Sequence, residues 1–296
     1  MSTHPAIDIL NAPPGMVPIV RGGLGNQMFV MAAGMVAAKV KECPLYILDP
    51  PPMFNKHNRF GLDYNATIFK GIGTKVPQIF LLERYKRHDP PGFAAWNPAA
   101  LEVGTVLDSY YQYYPALEAY ESELRRAFLE GLQPHLDQLP PLPRGGHTTA
   151  FMHVRRGDYM NLPGYHFIQP IEYYKSAVER LDTEVAATRS PPIDRIIIDS
   201  DDAEWVKSHA FFTSDPRFQI VADESRDELT SLAQMVACRG GAICGNSTFS
   251  WWGAFLGAHG ERAPVIVPAK KRWIADKIED LFPRGWIELD VSVKAE

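Results

Sequence analysis

Short apolar runs, each followed by a turn of small or polar residues and then by a helical stretch, recur along this chain. That alternation is economically solved by an α/β architecture with parallel strands. Apolar runs at 17–20, 45–48, 149–154, 195–198, 218–221, 241–244 and 264–267 are expected strands. Helices are expected at 26–40, rich in Met and Ala, within 113–132, where Leu117, Tyr120, Leu124 and Phe128 recur at three and four, and at 171–181, 204–209 and 228–238. Residues 1–16 read as a loose leader, because Pro13, Pro14 and Gly15 prevent regular structure. Residues 53–105 read as irregular and aromatic. The alternation restarts after Leu139-Pro140-Pro141-Leu142-Pro143-Arg144-Gly145-Gly146, whose backbone can neither helix nor pair well. The expected organisation is therefore two similar α/β domains, 17–145 and 146–296.

Composition narrows the partners. Thirty Lys and Arg against thirty-five Asp and Glu give a net charge of −5, which argues against nucleic acid as a partner. Cys43, Cys238 and Cys244 form no disulfide framework, which points to a reducing compartment. No apolar run approaches the roughly 20 residues of a membrane span, so at most peripheral membrane contact is expected. The first eighteen residues lack Lys and Arg, unlike a signal or transit peptide. The expected address is cytoplasmic or peripheral on a membrane face, with an organelle lumen or matrix as the alternative if a targeting segment has been trimmed.

Four stretches carry chemistry. His153-Val154-Arg155-Arg156-Gly157-Asp158-Tyr159 lies at the C-terminal end of an expected strand, where open α/β sheets place ligands. The arginine fork suits phosphate oxygens, although an Arg–Asp pair closing a turn accounts for the same residues. Gly22-Gly23-Leu24-Gly25-Asn26-Gln27 lets backbone approach a ligand ahead of a helix N-terminus; it also suits simple helix–sheet packing. Cys244-Gly245-Asn246-Ser247-Thr248-Phe249-Ser250-Trp251-Trp252-Gly253 offers an anion cradle with stacking surfaces, or ordinary N-capping before a core helix. Asp199-Ser200-Asp201-Asp202 reads either as a magnesium or manganese site or as a loop capping the next helix.

In this order, and over about residues 17–286, these motifs resemble the α-1,2-fucosyltransferases of glycosyltransferase family 11. Tyr110-Tyr111-Gln112 and Lys271-Arg272-Trp273 add to the likeness; the proline-rich stretch 50–53 departs from it. The resemblance implies a GT-B-like fold, two Rossmann-like domains with parallel sheets facing a central cleft. The N-terminal domain would take the acceptor and the C-terminal domain GDP-fucose. It implies inverting transfer of L-fucose from GDP-β-L-fucose to the 2-hydroxyl of a terminal β-galactoside glycan, with no obligatory metal and no cofactor beyond the donor substrate.

By the same resemblance Arg155, with Arg156, holds the diphosphate, and His153 contacts the nucleoside side. Asn246, Ser247, Thr248 and Phe249 meet the diphosphate or nucleotide, and Gly23 and Gly25 belong to the donor-facing turn. Asn26 lies near the reacting centre. Asp227 or Glu228 is the candidate reader of guanine, whose N1 and N2 donors need acceptors. Asp158 is an available carboxylate, as base or as orienter of an arginine. Two other readings stay open: a metal-dependent glycosyltransferase built on Asp199 and Asp201, and a non-catalytic nucleotide- or glycan-binding module.

Overall fold

The computed structural model describes residues 12–51, 58, 60–77, 85–162, 164–223, 225–257, 263–275 and 277–291. Most of the expected leader and parts of the stretch 50–105 lie outside these residues. Contacts divide the chain into two compact units. One runs to Gly131 and recruits Glu279–Leu281; the other holds Leu132–Ile278 and the segment from Phe282 on. The division falls inside a helix, ahead of the proline-rich segment expected to join the halves. Pro143–Gly146 is instead a 3-10 turn within the second unit.

In the first unit β1 (Met16–Pro18) leads into α1 (Leu24–Val40). Alanine and methionine make α1 apolar all round, and it is buried on nearly every face. Then come β2 (Tyr46–Leu48), β3 (Thr74–Val76), β4 (Lys86–His88) and β5 (Thr105–Leu107). β1 pairs with β5, β5 with β4 and β2 with β3, all parallel, and a parallel bridge between Met16 and Leu45 brings β2 beside β1. The order is β3-β2-β1-β5-β4. The stretch expected to be irregular thus holds three short strands. Two 3-10 turns follow, and α2 (Glu121–Leu136) begins later than its expected helix.

The second unit alternates β6 (Thr149–Val154), α3 (Ile171–Ala187), β7 (Arg195–Ser200), α4 (Ala203–Ser208) and β8 (Phe218–Ile220). It continues with α5 (Glu228–Ala237), β9 (Gly241–Ile243), α6 (Thr248–Leu256), β10 (Val265–Pro268) and β11 (Ile287–Leu289). All pairings are parallel, in the order β8-β7-β6-β9-β10-β11. Counted from β6 this is 3-2-1-4-5-6, the doubly wound order of a Rossmann-like unit. Side chains of β6 alternate between two cores. Ala150, Met152 and Val154 pack with Tyr173, Tyr174 and Leu181 of α3, while Phe151 packs with Met235 of α5 and Ala254 of α6. The α/β class and the parallel sheets are as expected. Among the described residues no helix is long and apolar enough to cross a membrane.

The polar contacts that cross this core are few and buried. Tyr173 Oη donates to the carbonyl of Cys244 at 2.6 Å, fixing the loop after β9 against α3. Removing a buried donor leaves its acceptor unpaired, at a cost of about 1–3 kcal/mol. Tyr173→Phe is therefore expected to lower the unfolding free energy by about that amount, read by urea denaturation, with no change in the urea dependence.

Candidate active site

The strand order reverses between β6 and β9: the chain leaves β6 towards β7 and returns on the other side at β9. Crevices open at such a point, outside the C-terminal ends of the strands. Both the Arg155 loop and the Cys244–Thr248 loop start there. Gly245 makes the close approach possible, because a Cβ on it would lie 3.0 Å from the carbonyl oxygen of His153 and 3.4 Å from Cβ of Arg155. Ser247 caps α6, its hydroxyl accepting from the amide of Phe249 at 3.3 Å. Thr248 opens the helix and is half-buried beside Phe249.

Arg155 is clamped. Its Nη2 lies 2.5 Å from Oδ1 of Asp158 and its Nη1 2.8 Å from Oδ2 of Asp201, with the guanidinium 4.9 Å from the Tyr159 ring centre. Nε is buried and has no hydrogen-bond partner. Burial alone would pull the guanidinium pKa down, but Asp201, Tyr159 and Asp158 outweigh it and the net shift is upward. Asp201 does double duty: its Oδ1 accepts from the backbone amide of Arg156 at 2.9 Å. Gly157 packs on the same carboxylate, where a Cβ would come within 2.5 Å of Oδ2. Arg156 binds Oδ2 of Asp202 through Nε at 3.1 Å and lies 4.1 Å over the Trp205 ring. Asp202 also caps α4, its Oδ1 accepting from the amide of Trp205.

The acidic tetrad therefore resolves into arginine partners and a helix cap. Sequence reading saw these carboxylates but not their partners. The register that sets His153 beside Asp199 is what brings residues 155 and 201 together. Among the described residues no group of three His, Cys, Asp or Glu side chains is placed to hold a metal ion. Two guanidiniums against Asp158, Asp201 and Asp202 give 2 − 3 = −1. An anion held here would depend on directed N–H groups, not on net charge.

Other expected site residues fall into three places. His153 is buried on the Phe249 side, ring centres 5.8 Å apart, and its Nδ1 has no partner. Asn246 is fully buried, its side-chain amide donating to the carbonyls of Phe167 (2.7 Å) and Trp273 (2.8 Å), while its backbone carbonyl accepts from the Tyr159 hydroxyl. Asp227 caps α5, its two oxygens accepting from the amide and hydroxyl of Thr230, and Glu228 stands in the first turn. Gly23, Gly25 and Asn26 stand in the first unit at the equivalent strand reversal, between β1 and β5. There Arg21 pairs with Asp108 at 2.7 Å and lies 5.5 Å from the Tyr110 ring centre, a cluster that sequence reading did not assign.

Burial pushes the His153 imidazole down to about 4, with Asp199 opposing and Arg155 reinforcing the shift. The ring is neutral near pH 7. A histidine that ionises less readily folded than unfolded favours folding above its ordinary value of 6.5 and loses that contribution as pH falls towards 4. The loss amounts to roughly 3 kcal/mol when complete. Stability measured by denaturation between pH 7 and 4 is expected to show it, and His153→Asn to flatten that part of the profile.

A model of glycosyl transferase family 11 matches residues 99–290, well over half of the chain. The chain is 25% identical to an O-antigen biosynthesis glycosyltransferase, WbnK of Escherichia coli, over 313 residues that cover 93% of this chain and all of the relative. Its structure is also similar to that of NodZ alpha-1,6-fucosyltransferase soaked with GDP-fucose, at 13% identity and a TM-score of 0.48, covering 88% of this chain and 96% of that one. A second structure, fucosyltransferase NodZ from Bradyrhizobium, gives 13% and 0.47 over 83% and 94%. The two solved structures are distant enough that no residue role is carried over from them. On the strength of the family match, this chain belongs to glycosyl transferase family 11.

Proposed function

We propose that the chain is an inverting galactoside 2-α-L-fucosyltransferase, moving L-fucose from GDP-β-L-fucose to the 2-hydroxyl of a terminal β-galactoside. The observation that carries this reading is the clamped Arg155 at the strand reversal, with an unpartnered Nε, beside the capped N-terminus of α6. Family membership and the ordered motifs support it. The E. coli relative, by name a glycosyltransferase of O-antigen biosynthesis, is consistent with a glycan acceptor.

The chemistry follows from charge. Breaking the anomeric C–O bond builds negative charge on GDP and positive charge on the sugar. Arg155, held rigid on two sides, meets the growing charge without reorganisation, and the amides at the start of α6 add a dipole of the right sign. Arg156 contributes through its place over Trp205. The neutral His153 and Phe249 line the nucleoside side, while Ser247 and Thr248 face the diphosphate. Asn246 acts from beneath, by holding the loop. Asp227 or Glu228 reads guanine, which requires Asp227 to share its carboxylate with Thr230. Oδ1 of Asp158 is engaged by Arg155, so we give Asp158 the orienting role and not that of general base. The first unit, with Gly23, Gly25 and Asn26, takes the acceptor, whose hydroxyl attacks in line.

Arg155→Lys is expected to lower kcat by about 10²–10³ while the melting temperature holds, because lysine keeps the charge but not the fork. Near-native turnover of that variant with GDP-fucose would remove the phosphate assignment. Transfer is also expected to survive excess EDTA, since Asp201 and Asp202 serve the arginines. Loss of activity in EDTA, restored by Mn²⁺, would instead favour a metal on that loop.

A further inference from the structure

The turn Ser109–Tyr113 in the first unit is built at a cost. Tyr111 has φ of 53°, a left-handed conformation that a bulky aromatic rarely adopts. Several contacts force it. The Tyr111 hydroxyl donates to the carbonyl of His88 at 2.7 Å, and its ring packs edge-on to Trp96 at 5.1 Å. Ser109 Oγ donates to the carbonyl of Pro90, and the amide of Gln112 to that of Gly92 at 2.8 Å. The product of all this is the placement of one side chain. Gln112 is only 3% exposed, and its Nε2 donates to Oδ1 of Asn26 at 2.8 Å. Its own Oε1 is buried with no hydrogen-bond partner.

A strained backbone that delivers a half-satisfied buried amide is a poor stability device. An apolar side chain of the same volume would remove the unpaired Oε1, although Asn26 Oδ1 would lose this donor. Such arrangements persist where function needs them. The bond to Gln112 takes the oxygen of Asn26 and turns Nδ2 towards the Gly22 turn, where a Cβ on Gly22 would lie 2.9 Å from that nitrogen. The turn itself needs glycine, with φ of 75° at Gly22. Gln27 holds it from the other side, donating to the carbonyl of Gly22 at 2.9 Å.

We propose that Gln112 is a positioning residue of the transfer reaction. It fixes the carboxamide of Asn26 so that the nitrogen, a donor, and not the oxygen is presented at the Gly22 turn to the reacting sugar. The inference rests on the reading that Asn26 stands near the reacting centre.

The test is a double-mutant cycle in kcat with GDP-fucose as donor and lactose as acceptor, using Gln112→Met, Asn26→Ala and the double variant. Calorimetric GDP affinity and thermal melting are measured beside it. Gln112→Met is expected to lower kcat about tenfold, leave GDP affinity within twofold, and leave the melting temperature unchanged or raised. A merely structural residue would lower melting and activity together. The double variant is expected to be no worse than Asn26→Ala alone, because both changes remove one interaction. Multiplying effects, or an unchanged kcat in Gln112→Met, would overturn the proposal. Gln112→Glu, an isostere that cannot donate to Oδ1, serves as the second variant; if both unfold, the role is structural and the proposal falls. Should wild type use another nucleotide sugar or acceptor, the fucosyl reading fails while the cycle is run on the pair it does use. Full activity in Asn26→Ala would remove Asn26 from the reacting centre, and the positioning role with it.

Discussion

The carboxylate of Asp201 ties three things at once: the guanidinium of Arg155, the backbone amide of Arg156 and the space above Gly157. It can do so only because β6 and β7 run parallel in a register that places His153 opposite Asp199. A one-residue slip would send every β6 side chain to the wrong core and part the arginine from its clamp. The apolar faces that fix the register, Met152 and Val154 on one side and Phe151 on the other, therefore hold the polar site in place. Packing and chemistry are in this sense one constraint.

Charge at the site is arranged, not accumulated. The chain carries a net charge of −5, and the cluster around the two arginines is itself slightly acidic. An anion held there, as proposed, would depend on pointed N–H groups at short range and not on a long-range field. Surface charge and ionic strength would then be weak levers on its binding, because interactions beyond about 8–10 Å are already screened in ordinary salt.

Much of this was legible in the sequence, and the illegible part has physical causes. β6 and β7 read clearly, since strands buried on both faces are unbroken apolar runs. Lys86-Arg87-His88 could not read as a strand. It is a three-residue edge element whose pairing partner, β5, is itself short. β11 hides for the same reason, with Glu288 at its centre. Arg155, Asp201 and Asn246 stood out as residue types, and Asp158 as a local partner for an arginine, but their distant partners did not. Ion pairs and hydrogen bonds across 27 to 87 residues are set by the sheet, not by local spacing. The Rossmann-like arrangement came from the family resemblance and not from the alternation, which fixes the class of a fold and not the sequence of its neighbours.

The loops that follow β6 and β9 are mechanically braced. Tyr159 donates to the carbonyl of Asn246 and stacks on His166, with ring centres 3.9 Å apart and planes 7° off parallel. Asn246 in turn grips the carbonyls of Phe167 and Trp273. Three connections, β6–α3, β9–α6 and β10–β11, are thereby cross-braced through two buried side chains, like a frame with diagonal struts. No single loop can lift without releasing the others, so local opening is cooperative. The amide protons of these loops would then exchange with solvent at one shared rate, set by the rupture of the brace and not by the exposure of each loop.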